Sequence, residues 1–164
     1  MKLEQFNQAS ADEAKKLIAH CVALNDWVTA LVSQRPYASL DELLQQSEAL
    51  ARQWSAESLN QALAAHPRIG EKAQGSGKEA ELSRGEQSSV NTEDHQLKQA
   101  LNAGNAVYEQ RFGRVFLIRA KGRSGEEMLS ELVRRLANDP MQEQQEALDQ
   151  LRDITRLRLR ETFQ

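Results

Sequence analysis

Apolar residues along most of this chain recur every three or four positions, which is the spacing expected of helices with one buried face. The first such pattern begins after Ser10 and ends at Pro36, because proline disrupts a continuing helix. Two further helices are predicted, one after Ser39 and one from Ser55 to Ala65. The apolar positions of the first pattern are Ala14, Leu17, Ile18, Cys21, Val22, Leu24, Trp27, Val28, Leu31 and Val32.

Three more helices are predicted in the second half of the chain, over residues 83–111, 124–137 and 140–164. Gly113 is expected to end the first of them. The run RVFLIRA, residues 114–120, is the only β-like stretch, and it fits either a buried extended segment or the start of another helix. The residues expected on the buried side of the helix over 83–111 are Val90, Leu97, Leu101, Val107 and Tyr108.

Four Ser-x-x-Glu patterns have the residue types of a helix capping box, in which serine and glutamate bind the free peptide N–H groups of a helix start. These patterns favour a mainly helical chain. Residues 70–85, which include four glycines, are expected to form a loop or a weakly ordered crossing. The predicted fold is all-α: a single-domain multi-helix bundle over residues 1–164, with at most one short extended segment near residues 114–120. The four patterns are Ser10/Glu13, Ser39/Glu42, Ser83/Glu86 and Ser124/Glu127.

Composition narrows the classes of partner. The formal net charge is -3, the pI is about 5.7 and aromatic residues make up 5%, so the chain has no global positive field that would attract nucleic acid or an anionic membrane. Cys21 is the single cysteine, and no Cys/His spacing offers a metal site. No secretory signal and no stretch of about 18 apolar residues is present, which predicts a cytoplasmic protein.

His66 is the first candidate for chemistry. It precedes Pro67, and a residue before proline is disfavoured in the helical conformation, so His66 is placed at or just past a helix end. The carbonyl end of a helix favours the imidazolium form, which suits a proton donor. The alternative is a histidine that only satisfies the last carbonyl groups of the helix, and helix-end position alone favours that alternative.

Two further candidates have structural explanations of their own. Glu86 follows Ser83 in a capping box, yet the N-terminus of a helix also binds anions, so the turn from Ser83 to Gln87 fits a carboxylate or a urea-like ligand as well. Arg158 lies between Leu157 and Leu159, which places it near a boundary of the core, where its guanidinium can bind a carboxylate with two hydrogen bonds.

Four motifs together resemble the decarboxylases that act on 2-oxo-4-hydroxy-4-carboxy-5-ureidoimidazoline (OHCU). They are HPRIG at 66–70, SRGEQ at 83–87, FGRVFLIRAKGRS at 112–124 and RLRL at 156–159, and the similarity covers nearly the whole chain in the right order. The resemblance implies the last step of urate conversion to (S)-allantoin, with release of carbon dioxide. It also implies a homodimer and no metal or organic cofactor, and it leaves open a functional association with 5-hydroxyisourate hydrolase.

The resemblance also implies the residues of the site. The histidine of the His-Pro motif, His66, is implied to be catalytic. Glu86 of the second motif is predicted to be catalytic as well, by accepting a hydrogen bond from the substrate hydroxyl. Arg114, Val115 and Arg119 depart from the residues common in that family, which matters little if the segment binds through its backbone. The implied substrate-binding residues are Pro67, Ser83, Arg84, Gly85, Glu86, Gln87, Ile118, Arg119, Ala120, Lys121, Gly122 and Arg158.

Two other functions compete with this interpretation. In a non-enzymatic helical adaptor, the arginine-rich C-terminal helix and the glycine-rich loop would be interaction surfaces, and His66 would only cap a helix. Weak nucleic-acid binding through the same helix is opposed by the acidic net charge and the small number of aromatic residues.

Overall fold

The computed structural model describes residues 1–64 and 95–164, and within these ranges it contains eight α-helices and no strand. The all-helical prediction is therefore confirmed. The chain divides into two compact units, residues 1–62 with 152–164 and residues 63–151, while a single domain over 1–164 stays a prediction. The helices are α1 (Leu3–Gln8), α2 (Ala11–Ile18), α3 (Asn25–Ser33), α4 (Leu40–Ala51), α5 (Ala56–Leu63), α6 (His95–Phe112), α7 (Gly125–Arg135) and α8 (Pro140–Thr162).

The first unit contains α1 to α4, most of α5 and residues 152–162 of α8. Phe6 of α1 is fully buried, with its ring edge-on to Phe163 at 5.5 Å and stacked on Tyr37 at 6.4 Å. Such aromatic pairs bury a large apolar area and fix the mutual orientation of the rings. The other side chains of this unit with no exposed surface include Ala14, Ile18, Val22, Leu31, Leu43, Leu59, Ala62 and Leu159.

A polar connection joins α1 to the loop after α3. Arg35 donates from Nη1 to the carbonyl oxygens of Phe6 at 2.7 Å and Ala9 at 2.6 Å, where α1 ends. Asn7 and Tyr37 exchange two hydrogen bonds of 2.9 Å between the Asn7 side chain and the Tyr37 backbone. Burial raises the pKa of Tyr37 to about 12, so its hydroxyl stays a donor, here to the carbonyl of Leu31.

The helical pattern from Ser10 to Pro36 forms two helices, so the expectation of one continuous segment is wrong. α2 ends at Ile18 and α3 begins at Asn25. Of the five residues from His20 to Leu24, four are buried, and consecutive helical residues point to different sides of the helix. The chain therefore has to leave the helix in order to bury all of them on one side. The short helix α1 lies outside every predicted element.

Three of the four predicted capping serines are confirmed. Ser10, Ser39 and Ser124 each accept a hydrogen bond from the peptide N–H three residues later, at 3.1 to 3.2 Å. Each serine therefore satisfies one of the peptide donors that a helix start leaves without a partner. The fourth pattern, Ser83/Glu86, lies outside the described residues.

The second unit contains α6, α7 and residues 140–151 of α8. Leu97, Leu101, Asn105 and Tyr108 form the buried face of α6, with spacings of four, four and three residues. Val107 is 52% exposed, so its predicted burial is wrong. It directly precedes the buried Tyr108, and consecutive helical residues point to different sides of the helix. The buried cluster of this unit consists of Leu97, Leu101, Tyr108, Phe116, Ile118, Ala120, Met128 and Leu132.

Gly104 lets α6 approach α7 closely. A Cβ atom at this position would lie 2.5 Å from Cδ2 and 3.2 Å from Cγ of Leu132, a fully buried side chain. Replacing Gly104 by alanine should therefore overpack the contact, which typically costs about 1–3 kcal/mol, against a helix-propensity gain of about 1 kcal/mol. We expect Gly104→Ala to lower the free energy of unfolding by about 1 kcal/mol in urea titrations followed by circular dichroism.

The control for this prediction is the same change in a Leu132→Ala background. There the clash is removed and only the propensity gain of up to about 1 kcal/mol remains, so Gly104→Ala should be stabilising. An equal effect of Gly104→Ala in both backgrounds would contradict the close contact.

Candidate active site

The segment of residues 114–122 connects α6 to α7 in the second unit. Gly113 ends α6 with a φ of 73°, and its N–H donates to the carbonyl of Glu109 at 2.8 Å, as predicted for a terminating glycine. Residues 115–120 form neither helix nor strand, so the start of a new helix is excluded there. Alternate residues Phe116, Ile118 and Ala120 enter the buried cluster, as in an extended chain.

Burial limits what the predicted binding residues Ile118, Arg119, Ala120, Lys121 and Gly122 can offer a ligand. Ile118 and Ala120 are 4% and 6% exposed and belong to the core of the unit. These two can therefore reach a ligand mainly through their peptide groups. Arg119 is partly exposed and Lys121 is exposed, so their cationic side chains remain accessible.

A tight turn follows at residues 120–123. The N–H of Arg123 donates to the carbonyl of Ala120 at 3.1 Å, and Gly122 has a φ of 84°, a conformation that other residues rarely adopt. Arg123 also donates from Nε to the carbonyl of Arg119 at 2.9 Å, and Arg119 donates to the carbonyl of Lys121. The turn therefore places Arg119, Lys121 and Arg123 beside fixed peptide groups, and the Arg123 guanidinium is paired with Glu127 at 3.1 Å. Cations and peptide groups together suit carboxylate, carbonyl and ureido oxygens.

Two side chains from the following helices hold this segment. Arg135 of α7 donates from Nη1 to the carbonyl of Leu117 at 2.8 Å, and the peptide N–H of Arg119 donates to Oε1 of Gln150 in α8 at 2.8 Å. The guanidinium carbon of Arg135 lies 4.4 Å from the centre of the Phe116 ring, which is a favourable cation–π distance. The backbone around the predicted binding residues is therefore anchored from both helices.

Arg135 is paired with a fully buried carboxylate. Arg135 is 2% exposed and Glu143 is 0% exposed, and Nε of Arg135 donates to both carboxylate oxygens at 3.0 and 3.1 Å. Glu143 also accepts from the Tyr108 hydroxyl and from Nδ2 of Asn138. Burial, followed by the hydrogen bond to Glu143, raises the pKa of Tyr108 well above its ordinary value, so this hydroxyl stays protonated and donates.

A second ion pair extends this network to the surface. Arg134 binds Glu146 at 2.6 Å and Glu131 at 2.7 Å, and its own side chain is 51% exposed. The hydrogen bond from Arg134 holds the pKa of Glu146 below its ordinary value. Asn138 bridges the two pairs, because its Nδ2 donates to Glu143 and to Glu146.

Arg158 lies in the first unit, on the last turns of α8. It is 1% exposed, so it is fully buried rather than at a boundary of the core as expected. Its Nη1 donates to the carbonyl of His20 at 3.4 Å, and its own carbonyl accepts from the Thr162 hydroxyl at 2.8 Å. His20 is itself buried, in the connection after α2, with Nε2 2.8 Å from Thr162 Oγ1 and 3.7 Å from the Cys21 sulfur.

The other predicted site residues lie outside the described residues, and their roles stay predictions. They are His66, Pro67, Ser83, Arg84, Gly85, Glu86 and Gln87.

Sequence reasoning missed Arg135, Glu143 and Gln150. A signal for the first two was present: Arg135 continues the buried spacing Met128, Leu132 of α7, and Glu143 occupies the corresponding face of α8 before Ala147. A charged residue at a buried helical position indicates a paired or functional group. Gln150 carried no such signal, because its contact is with a distant peptide group.

Within the described ranges, no group of three or more histidine, cysteine, aspartate or glutamate side chains could hold a metal ion. The helices described there also include none that is long and apolar enough to cross a membrane.

Relatives in sequence cover nearly the whole chain. A 2-oxo-4-hydroxy-4-carboxy-5-ureidoimidazoline decarboxylase from Haloferax volcanii is 29% identical over 165 residues, covering 99% of this chain and 96% of its own length. The enzyme of the same name from Amia calva is 30% identical over 167 residues, covering 100% and 95%. The uric acid degradation bifunctional protein of Bacillus sp. strain TB-90 is 27% identical, and this chain covers 32% of it.

Two solved structures resemble this chain in fold. A crystal structure of OHCU decarboxylase in the presence of (S)-allantoin superposes with a TM-score of 0.76 at 25% identity, covering 94% of this chain and 99% of that one. The structure of an (S)-allantoin synthase has a TM-score of 0.74 at 18% identity, covering 100% and 54%, and shows the shared fold. The family model of OHCU decarboxylase matches residues 7–160, so the chain belongs to the OHCU decarboxylase family.

Proposed function

We propose that this decarboxylase converts OHCU to (S)-allantoin and carbon dioxide without a metal or organic cofactor, with His66 and Glu86 as its catalytic residues. The main support for this reaction is that the OHCU decarboxylase family model matches residues 7–160 of the chain. That match favours an enzyme over the alternative of a non-enzymatic adaptor.

The substrate itself supports chemistry without a cofactor. Its carboxylate is attached to a ring carbon that also bears a hydroxyl and adjoins a C=N bond. When the bond to the carboxylate breaks, its electron pair forms a C=C bond to the carbon that bears the ureido group, and the imine nitrogen takes up a proton. The resulting enol loses its hydroxyl proton and becomes a carbonyl as a proton adds to the carbon that bears the ureido group. Because the substrate contains its own electron sink, the protein has to orient the carboxylate, move protons and select one face.

The catalytic roles follow from these needs. Glu86 accepts a hydrogen bond from the substrate hydroxyl and so makes that oxygen more electron-donating, while His66 handles the proton at the reacting carbons. A positioned acid or base of this kind typically contributes about 10²–10⁴-fold to the rate.

The remaining site residues bind and orient. The peptide groups of the turn from Ser83 to Gln87, together with Arg158, hold carbonyl, ureido or carboxylate oxygens, and Gln87 offers both a donor and an acceptor for the ureido amide. Pro67, next to His66 in the sequence, is a further proposed substrate-binding residue. Residues Ile118 to Gly122 contribute peptide groups and cations, which is supported by the burial of Ile118 and Ala120 and by the tight turn at Gly122.

Circular dichroism tests the reaction directly, because the product is chiral. OHCU is generated in situ and the appearance of allantoin is followed with and without the protein. We expect faster formation and an excess of the S enantiomer, and we expect a chelator to leave the rate unchanged. No acceleration and no enantiomeric excess would overturn the enzymatic function, and loss of activity to the chelator with recovery on one metal would overturn the cofactor-free mechanism.

Replacing the two catalytic residues separates catalysis from helix capping. His66→Asn keeps a side chain that suits a helix end, so the variant should fold normally yet lose at least about 10²-fold in turnover. Glu86→Ala should cost about 1 kcal/mol of stability as part of a capping box, and it should also lose turnover well below its melting temperature. Stability is measured by thermal unfolding and turnover by the dichroism assay.

Matched controls come from the described part of the chain. Glu42 occupies the same place in the Ser39 capping pattern and binds the Ala38 N–H at 2.9 Å, so Glu42→Ala should lose similar stability and keep its turnover. His95 is an exposed residue, and His95→Asn should behave as the wild type. A folded His66→Asn protein with normal turnover would show that His66 has a purely structural role.

We also propose a two-fold symmetric homodimer that works in the cytoplasm. This chain covers 32% of the relative named as a bifunctional uric acid degradation protein, which supports an association with a second activity of uric acid degradation. For that partner we propose 5-hydroxyisourate hydrolase. Light scattering at micromolar concentration should give twice the 18.5 kDa of one chain. A mass of 18.5 kDa under these conditions would contradict the dimer.

A further inference from the structure

The packing of α7 against α8 does not require a buried ion pair such as Arg135–Glu143. Two charges without access to water have a high desolvation cost, and apolar residues of similar volume are often equally stable in their place. A contribution to stability alone therefore explains the pair poorly. Its effect on the neighbouring segment offers a better explanation.

The geometry of Arg135 divides its donors between two tasks. Nε and Nη2 bind the carboxylate of Glu143, which fixes the plane of the guanidinium. Nη1 is left to donate to the carbonyl of Leu117 at 2.8 Å, and the guanidinium lies over the Phe116 ring. Lysine could not perform both tasks, because it lacks the planar fork of donors.

Glu143 is fixed in its turn by α6 and by the residues before α8. The Tyr108 hydroxyl donates to it from α6, and Asn138 donates from the connection between α7 and α8. Two residues beyond Leu117, the peptide N–H of Arg119 is bound by Gln150 of α8. A segment without helix or strand hydrogen bonds thus has two of its peptide groups held by side chains of rigid helices.

We infer that Arg135 and Gln150 are positioning residues for the substrate: they set the backbone of residues 117–119 so that residues 118–122 present their peptide groups to OHCU in one fixed arrangement. This inference rests on the proposed binding role of residues 118–122. Neither side chain has to touch the substrate. If this backbone loses its fixed arrangement, the bound substrate and the transition state are both held less tightly. KM should therefore rise while kcat changes little.

The first test uses the double variant Arg135→Met/Glu143→Gln, which removes the donor to Leu117 without leaving a buried charge unpaired. Glutamine keeps an acceptor for the Tyr108 hydroxyl. We expect KM for OHCU to rise about tenfold and kcat to stay within about threefold. The control Arg156→Met/Glu48→Gln makes the same chemical changes in an exposed ion pair of the first unit, outside this network, and should leave KM unchanged.

The second test uses Gln150→Met, which is close in shape and lacks the acceptor for the Arg119 N–H, with Gln145→Met on the exposed side of α8 as its control. This variant does not disturb the ion pair, so it remains informative if the double variant fails to fold. We expect KM to rise by about fivefold to tenfold, as for the loss of one hydrogen bond that orders a binding segment.

Hydrogen exchange supplies a measurement that is independent of activity. In both test variants, exchange of the amides of residues 115–122 should become at least about tenfold faster, while exchange in α2 to α4 should stay as in the wild type. A purely structural role would instead accelerate exchange throughout the chain and lower the melting temperature without a specific change in KM.

The outcomes distinguish this inference from the proposed function. Wild-type protein without decarboxylase activity would overturn the proposed function, and the inference with it. An active wild type whose test variants keep its KM would overturn the inference alone, whether or not exchange in residues 115–122 is faster. Raised KM with local acceleration of exchange in the test variants, and neither change in the controls, would support it.

Discussion

The central constraint on the second unit is that buried peptide groups outside any helix or strand need hydrogen-bond partners. Residues 115–120 are mostly buried in its core, yet they belong to no helix or strand of the part of the chain that the structure describes. Peptide groups in that situation need hydrogen bonds from side chains, since an unpaired buried donor or acceptor is costly. Arg135 and Gln150 supply two of these bonds, and the charge of Arg135 then requires Glu143. The polar network between the helices follows from this one requirement.

The same constraint bears on the chemistry of the decarboxylase. A substrate with its own electron sink needs few reactive groups from the protein, but its carboxylate and ureido group must be held in one orientation. Peptide groups are suited to this because a fixed backbone loses no side-chain entropy on binding. The catalytic residues proposed for this enzyme, Glu86 and His66, can act only on a substrate that is already oriented.

Local signals predicted the fold better than the site. The capping serines Ser10, Ser39 and Ser124 bind peptide groups three residues away, so sequence spacing alone places them. Periodicity alone did not reveal the break between α2 and α3 or the exposure of Val107. Both depend on which side of a helix the rest of the protein covers. Residues 118–122 were reached only through family resemblance, and Glu143 was missed because a charge is normally assigned to the solvent.

Two neighbouring arginines on α7 differ in how freely they can be exchanged. Arg134 is half exposed, and replacing it removes surface ion pairs worth about 0–1 kcal/mol in water. Replacing Arg135 alone leaves the carboxylate of Glu143 buried without its partner, and replacing Glu143 alone does the same to Arg135. Position 134 can therefore be substituted alone at little cost, whereas a substitution at position 135 or 143 requires a matching change at the other. We therefore expect an arginine at position 135 to occur together with a carboxylate at position 143, because together they hold a non-helical segment in a helical core.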